Sequence, residues 1–263
     1  MNRGTYTSKL LKASALLADT RTLLASWDLE QDLETNLERA RRNNIFGKAS
    51  RRRVEDILRI FRQRFFDDPE VGKALVSLVQ ANVPAQWVDP LLYFYTAQND
   101  ETLRAVVLEV IYPRRMSGYT SITVEQVMQA IRDWVAEGRT TDTWSESTVL
   151  RVARHGLAAL RDFGLLKGKT TKSITPLYLP VEAFAFIAFE LARKESSGEQ
   201  ILNSEEWKLF FLPVEGVERF FLEAHQERLL SYYAAGSIIR LEFPANTLPE
   251  YADVLIKRAR SKA

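Results

Sequence analysis

Residues 119–180 read YTSITVEQVMQAIRDWVAEGRTTDTWSESTVLRVARHGLAALRDFGLLKGKTTKSITPLYLP, and the order of elements in this stretch decides the fold. Tyr119 to Ile122 is short and extended. Thr123 to Glu137 carries apolar residues at helical spacing, and the polar turn Gly138 to Trp144 follows it. Ser145 to Phe163 is a second amphipathic helix that Gly164 stops. Leu165 to Leu179 then reads as a β-hairpin with glycine and lysine at its tip. Strand, helix, turn, helix and hairpin follow the order of a winged helix-turn-helix. The turn departs from the simplest version of that motif, because it is longer than the roughly three to four residues usual there.

On the second helix Val149, Val152, Ala153, Leu157, Leu160 and Phe163 fall on a core-facing side. That leaves Thr148, Arg151, Arg154, His155 and Arg161 to point outward. An α-helix fits the major groove of DNA, where arginine pairs bidentately with guanine. Ser145 or Ser147 caps the helix start, whose free N–H groups can hold a phosphate. Lys167, Lys169 and Lys172 lie on or beside the hairpin tip, placed for phosphate contacts that give affinity without sequence preference.

Outward from this centre the chain reads as mainly α with minor β. Residues 1–98 form an N-terminal helical bundle, 99–180 the winged helix-turn-helix, and 181–263 a helix–hairpin–helix portion. In the first part the apolar spacing predicts helices over Leu10–Leu24, Leu29–Arg42, Ser50–Phe66 and Glu70–Ala81. Pro84 opens another, and a helix over Glu101–Tyr112 is expected to end at Pro113-Arg114-Arg115. Beyond residue 180, Val181–Lys194 and Val214–Arg228 are helical, Leu229–Ala234 and Ile238–Phe243 form a hairpin, and Pro249 opens a last helix. Glu195 to Glu199 reads as a polar connector.

Net charge is only +2 over 263 residues, but it is unevenly placed. Residues 1–66 carry 14 basic against 8 acidic side chains, and residues 145–180 carry 6 against 2. Clustered charge sets the local field. The N-terminal cluster is Arg39, Arg41, Arg42, Lys48 and Arg51-Arg52-Arg53, with Arg59, Arg62 and Arg64 beyond. Three consecutive arginines fan over most of a helix and cannot all face one groove, so a solvated helix start and contact with an anionic partner such as DNA are both open for Arg51, Arg52 and Arg53.

The chain has no cysteine, which excludes disulfides and thiolate metal sites. No apolar run is long enough to span a bilayer: the stretch around Leu177–Leu191 is broken by Pro180, Glu182 and Glu190. A cytoplasmic protein without membrane partners is expected. Residues Gly164 to Thr170 imitate a phosphate-binding loop, but they follow a helix and precede a strand, the reverse of the required order. Glu206-Trp207-Lys208 imitates a nuclease tail without its upstream aspartate. His155 and His225 lack metal-ligand spacing. No catalytic residue, metal or cofactor is expected.

Two stretches carry a family resemblance. Tyr6-Thr7-Ser8-Lys9-Leu10-Leu11-Lys12-Ala13-Ser14-Ala15-Leu16-Leu17, with Glu30 and Asn43 after it, is the first. Arg151-Val152-Ala153-Arg154 followed by Leu160-Arg161-Asp162-Phe163-Gly164-Leu165-Leu166-Lys167-Gly168 is the second. Both resemble the BrxA family, accessory proteins of BREX phage-exclusion systems. The resemblance implies a bacterial defence component that binds double-stranded DNA beside a site-specific adenine methyltransferase and other BREX proteins. It supplies no catalytic residues. An adaptor whose winged helix docks another BREX subunit and a transcriptional regulator of its own operon remain alternatives.

Overall fold

Thr123 starts the first of the two central helices through a reciprocal cap. Its hydroxyl accepts from the Gln126 amide, and the Gln126 side chain accepts from the Thr123 amide, opening helix Val124–Ala136. Ser145 opens helix Glu146–Asp162 by accepting from the Thr148 N–H. That helix ends in a Schellman motif. Gly164 takes a left-handed φ of 88°, its N–H bonds Arg161 O, and the Leu165 N–H bonds Leu160 O. Arg132 ties the two helices together, donating to both Glu146 carboxylate oxygens at 2.9 Å.

The computed structural model describes residues 5–12, 15–175, 178–195, 197–236 and 238–262; the chain is 65% helix and 8% strand, so it is mainly α with minor β. Pro176 and Leu177, late in the expected first hairpin, and Ser237, in the expected second turn, lie outside the described residues.

Three strands accompany the central helices: β1 Ser121–Ile122, β2 Leu166–Lys167 and β3 Lys172–Ile174. They pair antiparallel in the order β1-β3-β2, with Ser121 opposite Ser173 and Leu166 opposite Ile174. Gly168 makes the β2–β3 turn possible. It holds φ 99°, and a Cβ there would stand 2.6 Å from the Thr171 carbonyl oxygen.

The chain divides into two compact units that are discontinuous in sequence. One comprises Met1–Leu16, Tyr93–Leu177 and Lys208–Phe211; the other comprises Leu17–Leu92, Tyr178–Trp207 and Leu212–Ala263. The apolar run read as one helix over Leu10–Leu24 is instead a 3-10 turn, Ser8–Lys12, and a helix, Leu17–Ala25. Leu16 separates them at a left-handed φ of 53°, which a helix cannot contain.

In the first unit Asp100 caps a helical run of three segments: Glu101–Ala105, the π-helical Val106–Ile111 and Tyr112–Met116. The sequence predicts an end at Pro113-Arg114-Arg115, yet the run continues to Met116. In the π segment the Tyr112 N–H bonds Val107 O, five residues back. Pro113 then falls in the first turn of the last segment, where a missing N–H costs little.

In the second unit Asp32, Ser50 and Asp68 cap helices Leu33–Arg42, Arg51–Phe65 and Pro69–Gln80. Helix Val181–Ala192 is buried almost throughout. Its Phe184 stacks on Trp207 and Phe220, and its Phe189 stacks on Tyr251 of helix Leu248–Lys262. The buried Glu182 is held by Arg258 and Lys262, both at 2.9 Å. Gly198–Leu202, within and beyond the expected connector, is a short helix capped by Ser197. Strands β4 Ser231–Ala235 and β5 Ile238–Glu242 form an antiparallel ribbon. Tyr232 stacks on Phe221 of helix Val214–Gln226, and the Tyr232 N–H donates to His225 Nδ1 at 3.2 Å. On the other strand Gly198 lies so close to the Ile239 carbonyl that a Cβ would sit 2.5 Å from its oxygen. Among the described residues no helix is long and apolar enough to cross a membrane.

Candidate nucleic-acid interface

Helix Glu146–Asp162 is two-faced. Val149, Val152, Ala153, Gly156, Leu157, Ala159 and Leu160 are buried. Arg151 and Arg154, one helical turn apart, are exposed, while Thr148 and His155 are half-buried beside them. Arg151 and Arg154 make no ion pair among the described residues. Arg161 differs, because it pairs with Asp162 at 2.9 Å. Glu125, at the start of the neighbouring helix, faces Arg154. Its carboxyl is held below the ordinary range first by its own backbone N–H and the Thr123 hydroxyl, and to a smaller degree by Arg154.

The β2–β3 turn is exposed from Lys167 to Thr171, so Lys167 and Lys169 present their ammonium groups to solvent. Lys172 does not join them. Its side chain is 6% exposed, and its Nζ donates to the Lys169 carbonyl at 2.8 Å. Burial, and then the charge of Arg161, push the Lys172 ammonium below the usual lysine range. The structure thus sets Lys172 apart from Lys167 and Lys169, beside which the sequence places it. Strand β3 alternates, and Lys172 shares the inward face with Ile174.

The N-terminal cations are largely answered by carboxylates. Arg41 pairs with Glu38 at 2.7 Å, Lys48 with Asp19 at 2.9 Å and Arg51 with Glu55 at 3.4 Å; Arg59 pairs with Asp56 and Arg62 with Glu34, both at 2.5 Å. Arg53 is also engaged, and Arg52 is exposed. Pairing leaves this surface much less positive than the residue count implies.

One cluster is brought together only by the fold. The long turn Gly138–Trp144 is bound by Tyr6, whose N–H donates to Arg139 O at 2.8 Å and whose carbonyl accepts from the Thr141 N–H at 2.9 Å. Glu109, on the π segment, accepts from the Tyr6 hydroxyl at 2.8 Å, from Trp134 Nε1 at 3.1 Å and from Arg139. Burial opposes ionisation of Glu109, yet its bonds to Arg139, Tyr6 and Trp134 outweigh that and hold the carboxyl below its usual range. Burial, reinforced by Glu109, pushes the Tyr6 hydroxyl up. No local signal marks these residues, because the partners lie 103 and 30 positions apart in the chain.

Among the described residues no group of three or more His, Asp or Glu side chains is arranged to hold a metal. A search of curated proteins finds no match. The family model named BrxA matches residues 4–191. That span contains Tyr6 and its turn, both central helices and the three-stranded sheet, so the chain belongs to the BrxA family, whose members are BREX-associated.

Proposed function

We propose that this protein is a non-enzymatic double-stranded DNA-binding component of a BREX phage-defence system, and that residues 119–175 act as a winged helix. The observation that carries the reading is the unpaired, exposed pair Arg151 and Arg154 on one helix, accompanied by Lys167 and Lys169 on an exposed hairpin turn. The helix supplies base-edge contacts in the major groove, with Thr148 and His155 at their margin. The two lysines supply phosphate contacts. Arg51, Arg52 and Arg53 contribute little, because Arg51 and Arg53 are already engaged.

The test is a titration of a fluorescent duplex across salt concentrations, followed by anisotropy. The wild type binds at low salt, with a log K versus log salt slope of about −0.9 for each phosphate contact. Arg151→Glu with Arg154→Glu loses about tenfold or more in affinity. Absence of binding at low salt, or an unchanged affinity in the double variant, sinks the reading.

Exposed apolar residues outside the central helices favour a second role as an adaptor. Val214, Leu222, Tyr233 and Ile238 are large apolar side chains, from 45% to 72% exposed, on helix Val214–Gln226 and the β4–β5 ribbon. Glu215, Glu218 and Glu223 share the helix with Arg219, and Arg240 is exposed on the ribbon, so these residues suit an apolar segment of a partner protein. In that role Leu222→Arg with Ile238→Arg abolishes co-purification with a BREX subunit and leaves duplex affinity unchanged.

A further inference from the structure

The two central helices are joined by a turn longer than the simplest motif uses, and both the turn and the second helix are held from behind by a segment near the N-terminus. Tyr6 adds a two-bond bridge to the turn, to Arg139 and Thr141. Its ring meets Trp134 edge-on at 4.7 Å, and the Arg139 guanidinium covers both rings. The Thr7 N–H donates to Thr102 Oγ1 at 3.0 Å, and that hydroxyl donates back to Thr7 O at 2.9 Å, which anchors the segment to the preceding helix. Leu10 is fully buried against helix Glu146–Asp162. Gly156 on the inner face of that helix receives it, and a Cβ there would stand 3.2 Å from Leu10 Cδ2.

We propose that Tyr6 and Leu10 are positioning residues for DNA binding: Tyr6 sets the turn, Leu10 sets the back of helix Glu146–Asp162, and together they fix the direction in which Arg151 and Arg154 point. This rests on the DNA-binding reading. Tyr6 and Leu10 are 4% and 0% exposed, so neither reaches a duplex and each acts through other residues. The π segment belongs to the same device. It carries Glu109, which gathers the Tyr6 hydroxyl, the Trp134 indole and Arg139 on one carboxylate. A turn released from these bonds samples more conformations, and each conformation aims the helix differently. Ordering it in advance lowers the cost of binding.

The experiment compares the full chain with Tyr6→Phe, Leu10→Ala and Leu10→Met. Duplex affinity and its salt slope are measured by anisotropy, and hydrogen exchange of amides 139–148 by mass spectrometry. Tyr6→Phe keeps the ring and removes the hydroxyl. It is expected to weaken duplex binding by about three- to thirtyfold, with an unchanged salt slope and faster exchange in 139–148. Leu10→Ala weakens binding to a similar degree, and Leu10→Met, which restores volume, recovers wild-type affinity. The proposal is overturned if Tyr6→Phe and Leu10→Ala bind as the wild type does, or if the slope falls by about 0.9, which marks a direct phosphate contact. Unchanged exchange in 139–148 in Tyr6→Phe overturns it as well. A wild type that binds no duplex at low salt is a different result: it removes the DNA-binding reading itself, whatever the exchange data give.

Discussion

The Lys172 ammonium donates to the backbone carbonyl of Lys169, so one lysine of the hairpin holds the turn that presents another. The three lysines therefore have different roles. Lys167→Ala and Lys169→Ala are each expected to reduce the salt slope of duplex binding by about 0.9. Lys172→Met leaves that slope as it is in the wild type. Anisotropy titrations at several salt concentrations check this, and a reduced slope in Lys172→Met would show that its charge reaches phosphate.

Gly168 is the residue this turn cannot replace. Gly168→Ala puts a side chain into a left-handed backbone and drives its Cβ toward a backbone oxygen that has no flexible end to yield. A loss of about 1–2 kcal/mol or more is expected from the conformation alone. Thermal unfolding and exchange of amides 166–174 read it; a variant as stable as the wild type contradicts the turn geometry.

Glu109 makes the Tyr6 cluster sensitive to acid. Its folded-state carboxyl lies below the ordinary value of 4.5, so the stabilisation it gives is fully present above that pH and is lost as pH falls through the depressed value. Glu109→Gln is expected to cost about 1 kcal/mol near neutral pH, a low figure because the carboxylate is partly exposed. It also flattens the decline in stability below about pH 4.5. Denaturant unfolding of both proteins over that range decides the matter, and parallel curves would falsify the assignment.

Replacing Arg51, Arg52 and Arg53 together by alanine should barely alter duplex affinity, since Glu55 already answers Arg51 and Arg53 has its own partner. A slope change of about 2.7, three phosphate contacts' worth, would place this helix on the DNA after all.

Much of the central region was readable because its signals are local. Thr123 with Gln126, Ser145 and Gly164 fix helix ends through bonds spanning a few residues, and their identities announce those bonds. The inward turn of Lys172 was also within reach. Counting in twos from Ile174 puts both on the same face, a stronger guide than charge. Part of the N-terminal pairing was legible at helical spacing, as in Arg41 with Glu38 and Arg51 with Glu55. Arg62 with Glu34 and Lys48 with Asp19 were not, because those contacts depend on how separate helices pack. The contacts of Tyr6 were not legible for the same reason, although the residue opens a stretch that resembles the BrxA family. Its partners are brought together only by the finished fold, and the apolar spacing around it imitates a continuous helix.

The β4–β5 ribbon has only two strands, an arrangement that ordinarily leaves two open margins. Here the imidazole of His225 occupies one amide of the first strand, and Gly198 crowds a carbonyl of the second. A ribbon obstructed at one point on each flank gives an extended peptide poorer purchase for adding itself as a further strand, which works against runaway fibrous stacking.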